Sequence, residues 1–221
     1  MTTSTNYYSL VASLPYMPRW FDVDEVPISR IRLEQRLKML GERDKSVVEQ
    51  VQGFLHWDRQ ESERTDEDVQ REYTRLMNSI ANRLVRDIIN HRMDIRTVTC
   101  ALRRRRLSLE PPSAVGQYVS HIQKNWQHPD FRLAREHTWI PRVSKHLESN
   151  QPLDVERELL TATWNRWVKL ADNFHFSFET ILLYLARWEI VDRWTRLDAA
   201  PGRQRFDRLL AQTLESDGDV A

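Results

Sequence analysis

The chain has 221 residues, a length at which one large or two small helical domains can bury a core without disulfide support. Its single cysteine, Cys100, excludes an intramolecular disulfide and any zinc site built on two or more cysteines, and it points to a reducing cytosol. With 33 basic and 32 acidic residues the net charge is +1, which argues against a general polyanion binder, and five glycines leave little room for phosphate loops or tight hairpins.

The amino-terminal MTTSTNYYSLVASLP has no basic n-region and its apolar stretch is broken by Ser and Pro, so no secretory signal is expected there. Tyr7 to Leu14 fits either a strand or a short helix, because so few positions satisfy both periods. Pro15, Pro18 and Pro27 then punctuate an irregular stretch whose Trp20 and Phe21 are expected to pin it to a core. Ser29 is placed to cap a helix carrying Ile31, Leu33, Leu37 and Leu40, with Gly41 at a left-handed end. A helix from Asp44 sets Val47, Val51, Phe54 and Leu55 on one face, and the charged stretch from Asp58 to Asp68 reads as the main internal loop. From Asp66 onward Val69, Tyr73, Leu76, Ile80, Leu84 and Ile88 recur every three or four residues, which predicts one helix of about six turns. After His91 a second short run, Ile95, Val98 and Leu102, leads into four arginines, and Pro111 and Pro112 stop it.

Those prolines mark the boundary between an N-terminal helical subdomain, 1–110, and a C-terminal helical subdomain, 111–221, which are expected to form one continuous domain. Beyond them Val115, Tyr118, Val119, Ile122 and Trp126 form one stripe, and Ile140, Val143 and Leu147 a shorter one. Pro152 opens a helix lined by Leu160, Trp164, Trp167, Ala171 and Phe174, and Ser177 or a neighbour caps another from Phe178 to about Leu197. That penultimate helix is apolar on most sides and is expected at the centre, with the three tryptophans Trp164, Trp167 and Trp188 in the core. Its densest apolar run, Ile181 to Ala186, is far short of the roughly 20 residues that cross a bilayer. A last helix, Arg203 to Leu214, precedes an acidic tail. The predicted fold class is all-α, an irregular multi-helix bundle.

No GxSxG elbow, phosphate-binding loop, dinucleotide fingerprint or HExxH pair occurs, and the seven histidines are scattered and read as surface residues. No catalytic residue, metal site or cofactor is therefore expected. The carboxylates from Glu61 to Asp68 read as a solvated face. Two groups of charges are candidates for a protein interface. Arg103, Arg104, Arg105 and Arg106 can grip phosphates or an acidic protein surface, or simply complement the negative end of their helix, in a chain with 28 arginines and 5 lysines. Glu179, Glu189 and Arg193, with Arg187 and Asp192, are embedded in the apolar penultimate helix, where they form either a structural ion-pair set or a docking surface.

The opening NYYSLVASLP, the middle MDIRTVTCALRRRRL and the closing FSFETILLYLARWEIVDRWTRLDAAPGRQRFDRLL together resemble a bacterial family of unknown function encoded among V/A-type ATPase genes. That family is similar to a short form of the V/A-type ATPase socket protein, lettered C in bacterial and d in eukaryotic complexes, an all-helical part that seats the central stalk on the membrane rotor ring. Tyr7, Tyr8, Leu14 and Pro15 match the family's tyrosine-rich start. Asp94, Arg96 and Arg106 match its acidic-then-basic middle helix, and Glu179, Tyr184, Trp194, Leu197, Asp198 and Gly202 its close. The socket protein proper is considerably longer and built from three related helical modules.

The resemblance implies a non-catalytic rotor or stalk part whose partners are the central stalk and the rotor ring. It implies a cytoplasmic protein, peripheral to the inner membrane, that meets the membrane only through those partners and binds no nucleic acid directly. Two other readings stand beside it. One is a helical adaptor or assembly factor for the same complex, and the other is a nucleic-acid binder using Arg103 to Arg106.

Overall fold

A computed structural model describes residues 7–55, 64–113 and 115–197. Among them lie nine helices and no strand: α1 (Tyr8–Ser13), α2 (Arg30–Leu37), α3 (Glu42–Leu55), α4 (Asp66–Ser79), α5 (Arg83–Arg106), α6 (Val119–Lys124), α7 (Ile140–Glu148), α8 (Pro152–Ala171) and α9 (Phe178–Leu197). The all-α expectation is met, and the segment from Tyr7 to Leu14 holds the short helix α1 rather than a strand. The predicted helix from Arg203 to Leu214, the acidic tail, Asp198 and Gly202 of the family's closing pattern, and the part of the charged loop from residue 58 to 63 fall outside the described residues.

The helix boundaries follow local chemistry. Thr65 and Asp68 form a reciprocal capping box at the start of α4, so the helix expected from Asp66 begins there and the charged loop, expected to run to Asp68, ends before it. The single helix expected from residue 66 to 88 is two. Ile80 leaves helical geometry (φ −91°, ψ 114°), and Asn82 caps α5 by accepting the Val85 N–H at 3.1 Å. The break expected near His91 is absent, and α5 runs unbroken for 24 residues, about 36 Å. Ser29 occupies the cap position of α2 without a side-chain cap bond, and Lys38 ends that helix in right-handed geometry. Gly41 is not left-handed. Instead its N–H donates to the Tyr7 hydroxyl at 3.2 Å, which in turn donates to Asp44 at 2.7 Å. The Ser177 hydroxyl is buried without a partner and caps nothing.

Three long helices make the frame. Arg166 of α8 pairs with Asp87 of α5 at 2.6 Å, while His91 lies 3.3 Å from Thr163, so residue numbers fall along α8 as they rise along α5. The two helices are antiparallel. Helix α9 runs the same way as α5, because Asn82 bonds Glu179 at one end and Arg92 shares a crevice with Glu189 and Arg193 further on. Apolar side chains fill this frame in two clusters. The larger joins α1 to α4, the first half of α5, the end of α8 and the whole of α9, so residues from both halves of the chain build it. The smaller gathers Val98, Leu102, Ile122, Phe131, Ile140 and Val155 around the second half of α5.

Helix α9 is central, as its composition predicts. Phe178, Ile181 to Leu185, Trp188, Ile190 and Val191 are all buried. Trp164, Trp167 and Trp188 are buried core, and the Trp188 indole N–H donates to the Ile28 carbonyl at 2.8 Å, which anchors the proline-rich stretch. Of the two aromatics expected to pin that stretch, Phe21 is buried against Trp164 and Trp194, whereas Trp20 is 57% exposed.

Candidate functional site

The four consecutive arginines end α5, and the structure divides their labour. Arg105 reaches back to the 126–128 backbone: its guanidinium donates to the carbonyls of Trp126 (3.3 Å), Gln127 (3.2 Å) and His128, and lies over the Phe131 ring. Arg104 donates to the Glu110 carbonyl at 2.7 Å. These two arginines satisfy loop carbonyls with charge-assisted bonds. Arg103 and Arg106 are exposed and have no such partner among the described residues.

The helix then closes in a Schellman turn. The Leu109 N–H donates to the Arg104 carbonyl and the Ser108 N–H to the Arg105 carbonyl, both at 2.9 Å, with Ser108 left-handed at φ 55°. Serine there costs about 1 kcal/mol relative to glycine, so the turn is held by its bonds rather than by conformational ease. It holds Leu107 and Leu109 outward, 67% and 46% exposed. The result is a firm tip with two bare leucines and two cations that have no partner among the described residues.

The charges of α9 are engaged inside the molecule. Glu179 accepts from the Asn82 side chain at 2.7 Å. Arg193 pairs with Glu156 of α8, and Asp192 pairs with Arg196 and, at 2.8 Å, with Arg30. Arg92 of α5 is drawn into the crevice beside Glu189, with Glu156 near. Burial lowers its affinity for its proton, and those two carboxylates oppose the change. Glu179 therefore stands at the start of α5 and the four arginines at its end, roughly 30 Å apart along the helix. The candidate interface residues do not converge on one surface.

A polar group that sequence reasoning did not single out as a site lies along α5. Asp94 accepts the Gln117 N–H at 2.9 Å, and the neighbouring Thr97 hydroxyl donates to the Val115 carbonyl. Together they latch the 115–117 loop onto α5. Gly116 is required there, with φ +134° and room for a Cβ only at 3.0 Å from the Asp94 carboxylate. Burial pushes the Asp94 carboxyl up to about 6, against the lowering effect of the Gln117 N–H and Arg166.

His91, edge-on to Trp167, is driven down to about 3 by burial and by Arg166 and Arg92, so it is a neutral core histidine rather than a surface one. His137 is also lowered by burial, and its ring meets Tyr118 edge-on at 5.0 Å. Two signals in the sequence bore on the Asp94 group, the place of Asp94 in the family's middle-helix pattern and Gly116, a lone glycine in a chain poor in them. Among the described residues no group of three or more His, Cys, Asp or Glu side chains is arranged to hold a metal ion.

Asp87 and Arg166 also border a groove of about 710 Å³ beside the first turns of α5, lined further by Arg83, Arg86, Asn90 and Phe174. No helix among the described residues is long and apolar enough to cross a membrane. No curated protein and no solved structure matches the chain. A family model does, over residues 28–217. The chain belongs to that family, DUF2764, described as proteins of unknown function, which is the kind of family its opening, middle and closing segments implied.

Proposed function

We propose that this protein is a non-catalytic, socket-like part of a bacterial V/A-type ATPase that couples the central stalk to the membrane ring. The resemblance of the opening, middle and closing segments supplies the address. What supports the mechanical side is the bracing of α5, α8 and α9. A part that passes torque must keep its helices from sliding, and ion pairs between helices fix their relative register. Arg166 with Asp87 ties α8 to α5, Arg193 with Glu156 ties α9 to α8, and Arg30 with Asp192 ties α2 to α9. Sliding any one helix by a turn breaks its ties and unseats Trp164, Trp167 or Trp188 from close-packed surroundings.

The nucleic-acid reading is weakened by the same structure, since Arg104 and Arg105 are occupied by backbone carbonyls. The test is co-purification from the native host. The proposal expects the protein at fixed stoichiometry in the intact, detergent-solubilised ATPase. Presence only in assembly intermediates replaces the rotor reading with that of an assembly factor, and absence from both refutes the ATPase association.

A further inference from the structure

We infer that the tip at the end of α5 is the docking point for an acidic, apolar-centred surface on a neighbouring protein of the complex, an inference that rests on the proposed function. Positions 103, 106 and 107 are spaced by three and four residues, so Arg103, Arg106 and Leu107 share one helix face. The Schellman turn carries Leu109 to the same end of the helix. Two leucines this exposed, at the end of a helix that buries most of its apolar side chains, are anchors without a pocket. The two arginines beside them have no acidic partner among the described residues, and arginine is favoured at the energetic centre of interfaces. The complement is a shallow apolar depression rimmed by Asp or Glu.

The other occupants fit less well. A phosphate backbone gives no use to the leucines and favours a larger excess of cations than a net charge of +1 supplies. A lipid surface holds clusters of about four to eight cations, and at this tip two lack a partner among the described residues. Arg104 and Arg105 cannot join them without releasing the loop carbonyls they hold. The turn arrives pre-shaped, because its backbone hydrogen bonds are made within the chain, so docking orders little that was not already ordered.

The experiment compares ATPase purified from cells expressing wild type, R103E/R106E, L107S/L109S, or R32E/R36E, the last reversing two exposed arginines on α2. Circular dichroism and thermal melts establish that each variant folds as wild type does. The expected result is an occupancy at least tenfold lower for both tip variants, with R32E/R36E unchanged. Wild type and tip variants retained equally overturns the docking inference and leaves the proposed function standing. Absence of wild type from the complex refutes both. Salt-sensitive binding of wild type, but not R103E/R106E, to a DNA duplex or to anionic phosphatidylserine vesicles assigns the tip to one of those partners and overturns the inference.

Discussion

Replacing Asp94 by Asn tests the loop latch directly. Asn keeps an oxygen to accept the Gln117 N–H but removes the charge that burial disfavours. The carboxyl moves from an ordinary 3.8 to about 6 on folding, so between those values the folded chain holds a proton that the unfolded chain has lost. Wild-type stability attributable to this group therefore falls as pH rises through that window. At about 1.4 kcal/mol per tenfold the full cost at neutral pH is about 3 kcal/mol, and partial solvent access reduces it to about 1–2 kcal/mol. His91 acts in the opposite sense: held at about 3 in the fold, it withdraws stability as pH falls below its ordinary 6.5. The diagnostic quantity is accordingly the difference between D94N and wild type. Urea denaturation from pH 4 to 8 should show a difference near zero at pH 4 that grows to a stabilisation of about 1–2 kcal/mol by pH 7.5. A flat difference, or a D94N defect that deepens with pH, refutes the reasoning and makes the carboxylate a net favourable partner of Arg166.

The arginine run should divide in the same assay, with R105A losing about 1.5–3 kcal/mol and R103A or R106A changing stability by no more than about 0.5 kcal/mol. Equal losses across the run contradict the division seen at the end of α5. G116A forces a side chain into φ +134° against Asp94 and should cost about 1–3 kcal/mol, measured as a lower midpoint at unchanged slope. N82A removes the α5 cap and the partner of Glu179 together, and a loss of about 1–2 kcal/mol is expected by thermal melt; a neutral outcome removes the cap from the account of the α4–α5 break.

Much of the frame was legible because each signal was local. Pro152 in the first turn of α8 and the run of apolar residues in α9 announce both helices without reference to anything distant. The α4–α5 break was hidden because Val69, Leu76, Ile80, Leu84 and Ile88 keep one spacing through it, and periodicity reports the buried face rather than the continuity of the backbone. Asn82 was the readable signal, yet the N3 position holds Val85 instead of the Glu or Gln of a capping box. The fates of the four arginines were not legible at all. Arg105 is separated from Arg103 and Arg106 by carbonyls more than twenty residues away, at Trp126 to His128, and no local pattern encodes that meeting. The same holds for Asp94, whose burial depends on a loop latched from residue 117.

The position of α9 also governs the order in which the protein can be made. The larger core takes Phe54 and Leu55 from early in the chain and Ile181 to Val191 from late in it. During synthesis the helices emerging first must wait for roughly 140 further residues, on the order of 7–30 s at about 5–20 residues per second, before the helix that covers them exists. The smaller core, spanning Val98 to Val155, is complete well before then. Nascent chains stalled short of residue 178 should hold α3 with the face that meets α9, Val48, Val51 and Leu55, open to water, and so should be the stage at which a chaperone is most needed.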